Sequence, residues 1–364
     1  MYLPYYNETD RALVNMLGYV KLTEGVDTGM LQHYPNATYH AVSVPDEEYS
    51  FLHEAAVIRY HGTLFASWYN CPEKELIGIT PIRGRRSKDD GKTWGDVEVL
   101  AADESGRILY CPPVYGIEND TLYMFVNQMV APDCMHALDL YVFDEEKDAF
   151  RLLWSRPIPF KLNTNVVRLN NGKLMLPGRI GELDGLPETP AVLISDTGHI
   201  DAEWRVVPLQ KDRYLPDGER FEYPETAVFT KDNNVYLFAR HDRNHVPLIY
   251  LSEDNGEHWV GPYAHNIPFS TSKIYAGTLS NGKNYVIGNL YPDRARLAIF
   301  FTAPGALKFT EGYILADTYT PGYENSTAFH YPVAYEEDGK LFVIFTNSYK
   351  NGTRGADLAV LPIL

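Results

Sequence analysis

Apolar residues in this chain fall in short alternating runs broken by turn residues, and no long stretch sustains the three-to-four-residue apolar spacing of a helix. The runs come in pairs: a polar residue or two, an apolar strand, a turn with Gly or Asn, then a second apolar strand. The first copy reads His53-Glu54-Ala55-Ala56-Val57-Ile58, His61-Gly62, Leu64-Phe65-Ala66-Ser67-Trp68. Further copies open at Cys111, Asn165, Glu225, Ile274 and His330, in steps of 58, 54, 60, 49 and 56 residues. Each step has room for about four strands with their loops, which is one propeller blade. Six such units predict an all-β chain, a single six-bladed β-propeller over residues 1–364. The alternating residues 38–44 are expected to supply the outer strand of the last blade, so that the segment 1–50 closes it. The competing arrangement is a β-sandwich with a second domain.

Composition narrows the partners. With 48 acidic and 32 basic side chains the formal charge is −16, which opposes a nucleic-acid partner. A local basic cluster can still hold an acidic small molecule. Nothing approaches the roughly 20-residue apolar run of a membrane span. Met1-Tyr2-Leu3-Pro4-Tyr5 shows neither the basic nor the apolar segment of a signal peptide, so the expectation is a cytoplasmic protein, or a periplasmic or secreted one if a leader has been lost. Three cysteines without metal-type spacing read as reduced thiols. The sequons beginning at Asn7, Asn36, Asn119, Asn325 and Asn351 are then expected to stay unmodified. Asp232-Asn233-Asn234 and Asp254-Asn255-Gly256 read as turns, and no metal or cofactor is expected; no nucleophile elbow, phosphate loop or dinucleotide fingerprint occurs. Oligomeric state is left open.

In a propeller, residues just before and within the innermost strands converge on the central axis, where ligands bind. Those positions here hold His53, Asn165, Glu225, His330 and Tyr331, joined by Arg179 and Arg240 at strand exits. The alternative for each is that it caps its own strand.

Two segments carry a family likeness. Ser87-Lys88-Asp89-Asp90-Gly91-Lys92-Thr93-Trp94 matches the Asp-box Ser-x-Asp-x-Gly-x-Thr-Trp throughout, and Ser252-Glu253-Asp254-Asn255-Gly256-Glu257-His258-Trp259 matches except that His258 replaces Thr. Such a box is a hairpin turn: the Asp carboxylate accepts from turn N–H groups, and Gly permits positive φ. Ser195-Asp196-Thr197-Gly198 and Thr302-Ala303-Pro304-Gly305 look like decayed copies. The boxes resemble those of the sialidase superfamily and its BNR-repeat relatives, and the repeat spacing extends the resemblance over nearly the whole chain.

The resemblance implies a carbohydrate-active site. Sialidases hold a substrate carboxylate with three arginines, attack with a Tyr whose proton goes to a Glu, and use an Asp as acid/base. By that likeness Tyr331 is the nucleophile, Glu225 its base, and Arg240 and Arg294 the carboxylate ligands, with Arg243 and Arg179 as substitutes. The first arginine of the family is absent, because its stretch reads His53-Glu54-Ala55. The acid/base loop reads Cys71-Pro72-Glu73-Lys74-Glu75. A subset of BNR-repeat proteins that open blade one with His fits His53, Trp68 and Glu75 better. Glu75 is therefore the expected acid/base, and His53 a substrate ligand or proton carrier. The expected activity is an exo-α-sialidase-like glycoside hydrolase acting on a terminal acidic sugar, of sialic or uronic acid type, of an oligosaccharide. The alternatives are a lyase in which Tyr331 and His53 or His330 move a proton beside a uronate, and a non-catalytic glycan-binding propeller.

Overall fold

The computed structural model describes residues 8–183, 185–242 and 246–364. They form six sheets, a six-bladed β-propeller, each blade built on four antiparallel strands. Blade 1 comprises Phe51–Tyr60, Thr63–Cys71, Ile82–Ser87 and Glu98–Ala101. Blade 2 comprises Leu109–Glu118, Thr121–Ala131, Cys134–Asp144 and Ala149–Arg156. In blade 3 the innermost strand is split into Phe160–Leu162 and Val167–Arg168, which share Leu174–Ile180 as partner; Thr189–Ser195 and Arg205–Pro208 follow. Blade 4 holds Thr226–Lys231, Asn234–Ala239, Leu248–Ser252 and Val260–His265, and blade 5 holds Tyr275–Thr278, Asn284–Asn289, Leu297–Thr302 and Phe309–Ala316. Blade 6 takes Ser326–Glu337, Lys340–Tyr349 and Arg354–Pro362 from the C-terminal part, and Thr38–Ser43 pairs antiparallel with its third strand.

The inner hairpins follow from turn chemistry. His61-Gly62, Asn119-Asp120 and Asp338-Gly339 all adopt positive φ, the two-residue hairpin turn that matches strand twist. Between blades the apolar faces stack into a continuous ring: one cluster joins blades 2 and 3, one joins 3 and 4, one joins 4 and 5, and the largest runs through 5, 6, 1 and 2.

Both Asp-boxes form the same device between third and fourth strands. Asp89 Oδ1 accepts from the Thr93 N–H at 2.9 Å and Oδ2 from its hydroxyl at 2.7 Å. In the second box His258 keeps the geometry: its N–H reaches Asp254 Oδ1 at 2.9 Å and its ring Nδ1 lies 2.6 Å from Oδ2. An imidazole nitrogen thus replaces the threonine hydroxyl. Gly91 (φ 83) and Gly256 (φ 82) sit against the preceding blades, where a Cβ would meet Leu358 and Met175 at 2.4 Å.

The N-terminal segment departs from expectation in two ways. Glu8–Leu17 is a helix that buries Leu13 and Leu17 against the apolar cluster of blades 3 and 4. At under three turns, with an apolar pair only one turn apart, its period is too short to stand out from the strand-like pattern. The chain then straps the outside of the ring, pairing Tyr19–Val20 with blade 4 and bridging to Phe309 and Ile314 of blade 5 before it reaches blade 6.

Candidate active site

The innermost strands of blades 1, 2 and 6 break register at the same height, between His53 and Ala56, Tyr110 and Pro113, and His330 and Val333. A bulge re-aims side chains that strict alternation would send between the blades. Glu54 (φ 46) and Tyr331 (φ 59) occupy two of these bulges in the left-handed region, which disfavours L-residues by about 1–2 kcal/mol. Only a tightly packed surround holds such residues there, and both are buried.

Tyr331 is the hub. Its hydroxyl accepts a hydrogen bond from Arg240 Nη1 at 2.7 Å, and the same nitrogen donates to Glu225 Oε2 at 2.7 Å. The rest of the Arg240 fork grips Asp242, with Nε 2.5 Å from Oδ1. Arg179 Nη1 lies 3.8 Å from Glu225 Oε1, while its other nitrogens bind Asp133 at 2.9 Å and Glu188 at 3.2 Å. Lys161 Nζ shares Asp133 at 2.6 Å. Lys273 Nζ pairs with Glu54 Oε2 at 2.8 Å and stands 5.6 Å from the Tyr331 ring centre. Arg294 faces the same ring at 5.7 Å, and His53 packs on it at 4.0 Å between centroids.

These surroundings set the protonation states. Burial opposes ionisation of Glu225, but the charges of Arg240, Arg179 and Lys273 outweigh it and hold its pKa below the usual value. Burial pushes the Tyr331 phenol far up, against the pull of Arg240, and keeps it protonated. Burial, joined by neighbouring cationic side chains, drives His53 and His330 well down, so both rings are neutral near pH 7. Glu75 stands at the rim with Oε1 accepting from the Tyr69 hydroxyl at 3.1 Å. Its carboxyl, turned against that buried ring, has its pKa raised by desolvation and then by the charge of Glu54. A cleft of about 670 Å³ bordered by Asp133, Glu188, Arg220 and Tyr223 opens beside Arg240, whose guanidinium carbon is 5.4 Å from the Tyr223 ring. A larger hollow of about 830 Å³ lies among the outer parts of blades 1 and 2, lined by Tyr60, Arg86 and Asp148, away from this chemistry.

Of the residues singled out from sequence, His53, His330, Tyr331, Glu225, Arg240, Arg179 and Arg294 meet around the axis, with Glu75 at the rim. Asn165 does not serve the site: its amide accepts from Tyr115 N–H at 2.9 Å and donates to Val57 O at 3.1 Å, stitching blades 1, 2 and 3. Trp68 is fully buried and its indole N–H donates to Asn70 Oδ1 at 2.7 Å, so it is a core residue rather than a sugar platform. His53 is held neutral by burial and by neighbouring cationic groups, with Nδ1 3.0 Å from Thr346 Oγ1. Arg240, expected as a carboxylate ligand, here bonds three acceptors of the chain itself, Glu225, Tyr331 and Asp242. Arg179 is likewise engaged and fully buried. Arg243 lies outside the described residues.

Sequence reasoning missed Glu54, Lys273, Lys161, Asp133 and Asp242. For Glu54 a signal existed: aligning His53-Glu54-Ala55 with His330-Tyr331-Pro332 puts Glu54 in register with Tyr331, and both have the same backbone conformation. Lys273, immediately before the fifth repeat, follows the same rule of a polar residue ahead of an apolar strand. Asp133 and Asp242 sit beyond strand ends, where the repeat pattern is silent.

Comparison with known proteins agrees with the fold. The family described as BNR repeat-like domain matches residues 62–343. No curated protein sequence matches. A structure from Dyadobacter fermentans, described as an unknown function protein, superposes with TM-score 0.72 at 13% identity, covering 91% of this chain and all of the other. Trypanosoma rangeli sialidase, in its covalent intermediate with 2,3-difluorosialic acid, gives TM-score 0.67 at 15% identity over 91% of this chain and 59% of its own. The Hadza microbial sialidase Hz136 gives 0.67 at 11% identity over 87% and 66%. This chain therefore spans about three fifths of the length of the sialidases it resembles, and the likeness to them is one of fold.

Proposed function

The chain belongs to the family of BNR repeat-like domains, and on that premise we propose that it is a glycoside hydrolase that removes a terminal acidic sugar from a glycan. One observation carries the reading: the Tyr331 hydroxyl and the Glu225 carboxylate meet on a single nitrogen of Arg240, at 2.7 Å each. A phenol attacks only if its proton has somewhere to go, and an ionised carboxylate one atom away supplies the acceptor. An ionised Glu225 and a protonated Tyr331 are the starting states the transfer needs, and because one pKa is lowered and the other raised the proton leaves the phenol only as its oxygen bonds to carbon.

In the proposed cycle the Tyr331 oxygen bonds to the anomeric carbon as its proton passes to Glu225. The glycosidic bond breaks, and the leaving oxygen takes a proton from Glu75, whose raised pKa favours its protonated form. Water then adds to the anomeric carbon, giving its proton to Glu75, and the Tyr331–sugar bond breaks as the phenol recovers its proton from Glu225. A neutral nucleophile avoids repulsion with an anionic sugar. The sialic acid named in the Trypanosoma rangeli relatives makes sialosides the first substrates to try, with uronosides second.

The test is release of fluorophore from aryl α-sialosides and aryl uronosides by the wild type and by Tyr331→Phe. The variant should lose at least about 10³-fold in turnover and still bind substrate. Undiminished turnover in Tyr331→Phe sinks the mechanism. An unsaturated product absorbing in the near ultraviolet would indicate elimination at a uronate instead, and binding without any product a glycan-binding propeller.

A further inference from the structure

Glu75 sits on the loop between the second and third strands of blade 1, and much of that loop faces solvent: Glu73, Lys74, Ile77, Gly78 and Ile79 are exposed, and Glu75 keeps part of its own surface open. A glutamate on such a loop turns about three side-chain bonds and loses that freedom only where something holds it. Two anchors hold this one. Leu76 turns its side chain into the core and donates its N–H to Cys71 Sγ at 3.1 Å, which pins the backbone next to Glu75. Tyr69, in the strand Thr63–Cys71 that leads into the loop, donates its hydroxyl to Glu75 Oε1 at 3.1 Å.

The second anchor is the one with a direction. Tyr69 is fully buried, and burial above all pushes its phenol far up, so the hydroxyl keeps its proton and acts as a donor. Its ring lies 6.0 Å from that of His53, and His53 lies 4.0 Å from Tyr331. Phe51 packs on Tyr69 at 6.5 Å and on His53 at 5.9 Å. His53 is fixed in turn by Thr346, whose Oγ1 is 3.0 Å from Nδ1. A buried row of three rings thus joins the residue that grips Glu75 to the proposed nucleophile. Close packing leaves such a row little room to shift, so the spacing of the two reacting groups is set by side chains that need not touch substrate.

We propose that Tyr69 is the positioning residue of the acid/base: it binds Oε1 of Glu75 and so leaves Oε2 as the one oxygen that gives and takes the proton. This rests on the hydrolase reading, which assigns Glu75 that work. A protonated carboxyl carries its hydrogen on one oxygen and accepts on the other, so a fixed donor at Oε1 keeps the acid proton on Oε2. In the first half of the cycle the Oε2–H bond breaks as the glycosidic C–O bond breaks, and the proton goes to the leaving oxygen. In the second half the carboxylate takes a proton from the attacking water on the same oxygen. Tyr69 donates to Oε1 throughout and gives up no proton. Its bond favours the carboxylate, while desolvation and the charge of Glu54 favour the acid, and Glu75 has to serve in both forms.

The experiment compares two glycosides of the same sugar acid, N-acetylneuraminate or galacturonate, in the full chain. The 4-nitrophenyl glycoside has a leaving group that departs without protonation, and the methyl glycoside has one that needs it. The proteins are the wild type, Tyr69→Phe, Glu75→Gln and the double variant. Phenylalanine keeps the ring in the core, and the unliganded melting temperature reports whether the fold survives. Tyr69→Phe should lose about 10- to 100-fold in kcat on the methyl glycoside and less than about 3-fold on the nitrophenyl one, with KM unchanged on both. Glu75→Gln should show the same split, only larger. The double variant should be no worse than Glu75→Gln, because Tyr69 acts only through that carboxyl. Equal losses on the two glycosides, or no loss on the methyl one, overturn the role of Tyr69 and leave the hydrolase standing. Losses that add in the double variant overturn it as well, since Tyr69 would then act elsewhere. If Glu75→Gln shows no split, another group is the acid, and Glu75 and its tether fall together. A wild type that cleaves none of these glycosides overturns the hydrolase reading and the role of Tyr69 with it.

Discussion

Lys273 and Glu54 tie blade 5 to blade 1 across the axis, and their coupling can be measured. The ammonium and carboxylate are 2.8 Å apart, at 1% and 4% exposure. Among the described residues the one other hydrogen-bond contact of the Glu54 carboxylate is the Cys111 thiol at 3.6 Å, a weak donor. Replacing Lys273 by Met strands a buried carboxylate, which costs about 3–5 kcal/mol, whereas replacing both partners by uncharged residues of similar size is close to neutral. At roughly 2.1 cal/mol/K per residue, 364 residues give a melting entropy of roughly 0.76 kcal/mol/K. Lys273→Met should therefore lower Tm by about 4–7 °C. Glu54→Gln should cost somewhat less, and the double variant should recover most of the loss, a coupling of about 2–4 kcal/mol. Differential scanning calorimetry of the four proteins at pH 7 measures this directly. If the double variant loses the sum of the two single losses, the pair is not coupled and the reasoning about the axis is wrong.

Two pH experiments probe the buried titratable groups. The Asp357 carboxyl, with Oδ2 accepting from Asn347 Nδ2 at 2.7 Å, is pushed up to about 6 by burial, so its stabilising proton is fully present below about pH 4 and lost as pH rises through 6. Asp357→Asn should stabilise by about 2–3 kcal/mol at pH 7.5 and by almost nothing near pH 4; equal effects at the two pH values in denaturant unfolding would contradict this. His265 is held at about 3 by burial, and His53 and His330 are also depressed, so these groups favour the fold above about pH 6.5 and withdraw that support as pH falls. Stability should decline from pH 7 toward pH 4, offset in part by Asp357, and His265→Asn should remove up to about 1.4 kcal/mol per pH unit of that slope; an unaltered slope would show that His265 is not neutral in the fold.

The sequence by itself determined the architecture, because the architecture is written in local rules. Alternation makes strands, paired positive-φ turn residues such as His61-Gly62 and Asp338-Gly339 make inner hairpins, and six repeats of that unit leave a ring as the way to bury both faces of every blade. Repeat position also drew Tyr331, Glu225, Arg240 and His53 toward one axis. Tertiary structure alone decided how those groups divide their bonds. Arg240 could be read as a carboxylate ligand until Tyr331, 91 residues away, and Asp242 were seen to occupy it. Asn165 looked like a site residue until its amide was found stitching three blades. Glu54 meets Lys273 across 219 residues. Pairing at the axis depends on which side chains are brought within about 3 Å of each other, and alternation and turn chemistry, which act over a few residues, carry no information about that distance.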